Sequence, residues 1–205
     1  MTGPWLRSEH AIMEAFRYYL ALLLLLFMPG LYVYWFSIHP FVKFWRKVGP
    51  HRTIVLHGVL IAVVATAIFP IRKRLLSVEF GTNWTLVVLA GCIYVFVLVL
   101  RVKLGRRLGP KVLLGLPELA PERYGRRLVT EGIYARLRHP RYLQIFLAIL
   151  SFALVANYLA AYAILLVSIV WILLLVRMEE KELREHFGPA YDAYCARVPR
   201  FIPRF

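Results

Sequence analysis

Two short stretches hold the side chains best able to do chemistry: Arg138-His139-Pro140-Arg141-Tyr142 and Glu179-Glu180. A residue before proline is disfavoured in the α region, so no helix is expected to run through His139. Pro140 has a preset φ and no N–H to lose, which suits the first turn of the apolar segment that follows. Arg138 and His139 therefore stand at a helix mouth, where unpaired N–H groups and the helix dipole favour an anion. In the second stretch Leu183 and Phe187 set an apolar face, and Glu179 lies one turn before Leu183 on that face. Glu182, Arg184 and Glu185 are left to point to water. A cationic mouth facing an inward carboxylate suits a zwitterion such as an amino-acid head group, its carboxylate at the mouth and its ammonium at the glutamate.

Each stretch alone has a plainer explanation. Arg138 and His139 could be interfacial cations beside lipid phosphate, and Glu179 and Glu180 a solvated acidic turn favoured by a helix dipole. The segments that position them favour a joint site. Apolar runs from about Tyr142 to Tyr158 and from Ala160 to Val176 are separated by almost nothing, which predicts a tight helical hairpin with Asn157 in its turn. Each run covers roughly 17 residues or about 25 Å, enough to span a bilayer when flanking arginines snorkel. The first leaves one membrane face at Pro140 and the second returns there at Arg177, so both stretches meet.

The rest of the chain agrees with a membrane setting. Over 205 residues it is 60% hydrophobic and 18% charged, with mean hydropathy +0.64. That is too apolar for an ordinary soluble domain. Three earlier spans are predicted, from about Arg17 to Phe36 (with Pro29-Gly30 inside it), Thr53 to Phe69 and Trp84 to Leu100, for about five in all. Residues 1–15 read as interfacial or frayed. Phe41, Phe44, Trp45 and Val48 recur at helical spacing between basic residues, which fits a short amphipathic helix on the membrane surface. Residues 101–141 form a basic, Gly- and Pro-punctuated region too long for a passive connector. The expected fold is an all-α integral membrane domain over residues 1–205. Residues 1–100 supply three spans and the interfacial helix, and residues 101–205 the hairpin, a cytoplasmic loop and a C-terminal helix.

The formal charge of +15 raises the question of nucleic acid, but its placement points to topology. Twenty-one of the 26 Lys and Arg residues fall in 37–52, 101–141 and the tail from Arg177, against five on the opposite side. The positive-inside rule then puts the N-terminus outside and the long loop and C-terminus in the cytoplasm. Cys92 and Cys195 give no disulfide framework, and no cysteine or histidine spacing suggests a metal. His39, His51 and His57 read as polar packing, and no Ser-His-Asp or Cys-His pattern stands out.

Leu128-Val129-Thr130-Glu131-Gly132-Ile133-Tyr134 followed by Arg138-His139-Pro140-Arg141-Tyr142 resembles the cofactor motif of the isoprenylcysteine carboxyl methyltransferase family, which is related to phospholipid methyltransferases. The run Glu179-Glu180 through Leu183, Phe187-Gly188, Tyr191 and Tyr194 to Val198-Pro199 resembles that family's C-terminal motif. The likeness covers roughly residues 100–205. It implies a membrane-embedded methyltransferase that uses S-adenosylmethionine without a dinucleotide-binding domain. Carried over, Arg126, Arg127, Leu128, Val129 and Tyr134 would line the cofactor. Arg138, His139, Pro140, Arg141 and Tyr142 would close over it, with Glu179 and Glu180 at its ammonium.

Three positions depart from the pattern. Arg126 stands where the resembled eukaryotic members carry histidine, and Gln144 where glycine is usual. Leu175 replaces a substrate-facing arginine, leaving Arg177 as the candidate for orienting substrate. The acceptor implied is lipophilic or small and apolar: an isoprenylcysteine-like carboxylate or a thiol, with a phospholipid or other amine as the alternative. A sterol-type membrane reductase using NADPH is the competing enzyme class, and a degenerate scaffold or transporter the non-enzyme one.

Overall fold

The computed structural model describes residues 4–113, 119 and 127–203, with side chains at these positions except 4–8 and 106–113. Among the described residues the regular structure is helical, joined by short loops, and the only β pairing is one isolated antiparallel bridge between Glu79 and Tyr158. The helices are α1 (Pro4–Ile38), α2 (Val42–Val48), α3 (Pro50–Ile68), α4 (Arg72–Leu75), α5 (Trp84–Leu113), α6 (Pro140–Ala156), α7 (Leu159–Phe187) and α8 (Pro189–Arg197). Four stretches are long and apolar enough to cross a membrane: Glu9–Ile38, Pro50–Leu75, Trp84–Gly105 and Leu159–Phe187. Helix α6, at 17 residues, is shorter than these.

Burial shows why the elements are so apolar. Val55, Val59 and Val63 on α3, Val88, Val95 and Phe96 on α5, and Leu166 and Val170 on α7 all face outward. An apolar exterior this extensive would associate in water and is at home in lipid, where helices satisfy their own backbone groups. Inside, α1 packs on α3, α6 and α7, and α5 lies along α6. The seam uses small residues, with Ala21, Ala153, Ala156 and Ala161 each fully buried beside Leu24 and Ile149. Small side chains let helix backbones approach when no hydrophobic force draws them together. Gly30 does the same between α1 and α3. A Cβ added there would stand 2.9 Å from Ile61.

Several elements run further than expected. Helix α1 begins at Pro4, so residues 4–15 belong to the first helix. Helix α5 continues past Leu100 to Leu113 and takes the first third of the supposed basic loop. The carboxylate-bearing segment is no separate element either, because α7 carries straight on through Glu179 and Glu180 to Phe187. Gly188, with φ 53°, ends it and admits Pro189 at the start of α8.

Asn157 and Tyr158 alone join α6 to α7. Asn157 adopts φ 54°, donates from Nδ2 to the Gly81 carbonyl at 2.9 Å and accepts from the Tyr162 hydroxyl at 2.8 Å. The loop before α5 clamps this turn, since Phe80 N–H donates to Asn157 O and Leu159 N–H to Val78 O. Arg17, fully buried, donates from Nε to the Ala156 carbonyl at 3.1 Å and pairs with Glu14 at 2.7 Å. Its cation thereby meets the negative end of α6. Asn157→Ala places a Cβ residue without a side-chain partner in the left-handed region. The expected cost is about 1–2 kcal/mol, read as a lower melting temperature in detergent, with Asn157→Gly losing less.

Candidate functional site

The motif around His139 is built from the backbone outward. A short 3-10 turn, Gly132–Ala135, precedes it, and its Tyr134 carbonyl accepts from the Tyr194 hydroxyl at 2.7 Å. His139 caps α6 with φ −121° and ψ 52°, and Pro140 takes the first helical position. The N–H groups of Arg138 and His139 donate to the carbonyls of Pro199 and Arg200 at 2.9 and 3.1 Å. The end of the chain is thus paired to the motif. These two donors are thus taken by protein carbonyls, while the first-turn N–H groups of α6 belong to Arg141 and Tyr142, which follow Pro140.

The two glutamates behave differently. Glu180 is 1% exposed and gathers cations: His139 Nε2 at 3.1 Å, Arg138 Nη1 at 3.2 Å, and Arg200 through Nε at 2.9 Å and Nη2 at 2.6 Å. Its charge is fully engaged by protein. Glu179, one residue earlier, has a side chain 31% exposed, yet its Oε2 is buried without a hydrogen-bond partner. His139 Nδ1 stands 3.7 Å from that oxygen, close enough to attract but too far to bond.

Glu179 opens on a cavity of about 140 Å³. Of the residues expected to meet a cofactor, Arg127, Leu128, Val129, Tyr134, Arg138, His139, Arg141, Tyr142 and Glu179 all line it. Pro140 and Glu180 do not, and Arg126 lies outside the described residues. Leu183, Tyr191 and Tyr194 complete the wall. These two tyrosines belong to the C-terminal run noted in the sequence, and their spacing after Gly188-Pro189 puts both on one face of the short helix α8. The Tyr191 hydroxyl is buried and without a partner, a second polar atom of this kind in the wall. Arg141 lies over the Trp35 ring, 4.9 Å from its centroid, which ties α1 to the site.

Arg177 is exposed and does not line the cavity. Leu175 is fully buried against Tyr142 and Trp171, an apolar position in which an arginine would be costly. Glu182 is also corrected, because it meets His39 at 2.9 Å and does not simply face water. Arg200 is one of three arginines in the short basic tail, with Arg197 and Arg204, and no periodicity marks it.

Burial alone would lower the His139 pKa, but the carboxylates of Glu179 and Glu180 outweigh it and raise the value above the ordinary 6.5. Burial pushes the Tyr134 phenol well up, and that of Tyr194 to about 12, so both are neutral. A raised histidine pKa stabilises the fold fully below the unfolded value and loses that contribution as pH rises through the folded value. Melting temperature in detergent is therefore expected to fall as pH climbs above about 6.5, and the slope to flatten in His139→Gln.

A second, wholly apolar cavity of about 240 Å³ adjoins the first. Leu143 and Phe146 of α6, Ile169, Ile172 and Leu173 of α7, and Phe201 form it, and Tyr142 is common to both cavities.

Comparison with known proteins gives this arrangement its context. The model of the phospholipid methyltransferase family matches residues 85–190, just over half of the chain. The chain belongs to the phospholipid methyltransferase family. The family match runs from the first turn of α5 to the first turn of α8 and takes in His139 and both glutamates. Tyr191, Tyr194 and Arg200 lie beyond it. The chain is also similar to the protein-S-isoprenylcysteine O-methyltransferase of Schizosaccharomyces pombe, at 36% identity over 77 residues. That alignment covers 37% of this chain and 33% of the yeast protein, so the chain matches only a third of its relative's length. No solved structure matches. With its four long apolar helices, this member of the family is an integral membrane protein.

Proposed function

We propose that the chain is an S-adenosylmethionine-dependent methyltransferase acting on a lipophilic acceptor at the membrane boundary. The observation that carries this is Glu179, which lines a cavity together with His139 and Arg141 and whose Oε2 is buried without a hydrogen-bond partner. A carboxylate so placed takes an ammonium, and the neighbouring cations take a carboxylate. Glu179 would hold the amino group of the cofactor's methionine end, and His139 and Arg141 its carboxylate. Leu128, Val129, Tyr134, Tyr191 and Tyr194 would pack against its less polar part. When bound, the cofactor supplies an electrophilic methyl group on a sulfonium, so the protein needs no covalent nucleophile. The chain's own work is to align the acceptor and keep water out.

The apolar cavity suits the chain of an acceptor that enters from lipid, with Tyr142 between that chain and the cofactor. An isoprenylcysteine-like carboxylate or a thiol fits this reading. A phospholipid amine is the second, favoured by the family match. In this reading α6 is a fifth, short span, and the clustering of Lys and Arg supports a cytoplasmic site with the N-terminus outside. The test is titration calorimetry on detergent-purified protein with S-adenosylhomocysteine and, separately, NADPH. Saturable binding of the first alone is expected. Preferential binding of NADPH would mean a sterol-type reductase instead.

A further inference from the structure

We infer that Arg200 is a positioning residue of the proposed cofactor cavity, holding Glu180 so that His139 stays on Glu180 and leaves Glu179 free for a cationic head group. This rests on the cofactor reading above. Two carboxylates compete for one imidazole. His139 Nε2 bonds Glu180 Oε1 at 3.1 Å, while its Nδ1 stands 3.7 Å from Glu179 Oε2. A small tilt of the ring would close the second distance and put a protein cation on the oxygen a ligand needs.

Arg200 opposes that tilt in two ways. Its guanidinium grips both oxygens of Glu180, at 2.9 and 2.6 Å, a two-point geometry that fixes the carboxylate's orientation. Its carbonyl takes the His139 N–H at 3.1 Å, and the next residue, Phe201, sets its ring 6.1 Å from the imidazole. Glu180 itself does not line the cavity, so Arg200 acts through it and through His139. The charged groups around His139 are Glu179 and Glu180 of α7, Arg138 and Arg141 beside it in the chain, and Arg200 from the C-terminal segment. Taking away Arg200 removes one cation from this set, so the imidazole keeps its proton to higher pH.

The test is calorimetric titration of the full-length protein with S-adenosylhomocysteine across a pH series. Arg200→Ala is expected to bind about tenfold more weakly, with the alkaline limb of its binding profile displaced to higher pH. Arg200→Lys restores the charge without the two-point grip, so it should return the limb toward wild type and only part of the affinity. Because Arg200 acts through His139, adding Arg200→Ala to His139→Gln should cause little further loss. A merely structural role would give additive losses and an unmoved pH profile, and either result overturns the inference. Unchanged binding in Arg200→Ala beside a binding wild type also overturns it and leaves the cavity reading standing. Wild-type protein that binds no S-adenosylhomocysteine overturns both.

Discussion

Glu179→Gln is expected to weaken S-adenosylhomocysteine binding by about 2–3 kcal/mol, a factor of ~30 to 150. The change keeps the shape and removes the charge. An ammonium held by a carboxylate in a partly dry cavity loses a charge-assisted bond, and the amide that replaces it can present a donor to a donor. The same substitution should lower the melting temperature of the unliganded protein only modestly, because Glu179 Oε2 has no hydrogen-bond partner to lose and gives up only its 3.7 Å attraction to His139. Calorimetry and thermal unfolding on one preparation check both halves. Binding within threefold of wild type would remove Glu179 from the ligand.

Its neighbour should behave in the opposite way. Glu180→Ala is expected to destabilise the fold by about 3–5 kcal/mol, because it strips the shared anion from buried cations. Arg138 and His139, with side chains 10% and 4% exposed, cannot turn to water, whereas Arg200, at 47%, can. His139 can shed its proton and relieve part of the charge, which places the loss toward the lower end of that range. Denaturation in detergent measures it. Two adjacent glutamates then divide between ligand and fold, a split that their sequence alone does not display.

The difference arises from what faces each side chain. One step along a helix turns a side chain by about 100°, enough to put Glu179 on the cavity and Glu180 on the chain end. The sequence makes Glu179 unusual through its register with Leu183 and Phe187. It cannot reveal Arg200, because the partner of Glu180 arrives from a segment without periodicity, through pairing of the Pro199 and Arg200 carbonyls. The His39–Glu182 contact is hidden for a similar reason, since it links the turn just after α1 to α7, 143 residues further along the chain. The helices themselves were legible where apolar runs were long, and least so at their ends. Gly105, Gly109 and Pro110 punctuate the basic stretch like a loop, yet α5 runs on to Leu113. Tight connections fared better: Asn157 was placed in the turn between the last two apolar runs and adopts the left-handed backbone there.

Acceptor chemistry is the least legible feature. Leu175 and the exposed Arg177 leave no arginine beside the apolar cavity wall from α7, and that wall is Ile169, Ile172 and Leu173. Such a surface recognises a hydrocarbon chain by burial and says little about the group at its end.

The most direct measurement is transfer itself. The purified protein is incubated with S-adenosylmethionine labelled in its methyl group, together with a membrane lipid extract and a panel of apolar thiols. Labelled products are then identified by mass spectrometry. The expected result is label in an apolar carboxylate, thiol or phospholipid amine, strongly reduced in Glu179→Gln. A protein that binds neither cofactor nor acceptor and leaves all label in the donor, at every pH tried, would contradict the assignment.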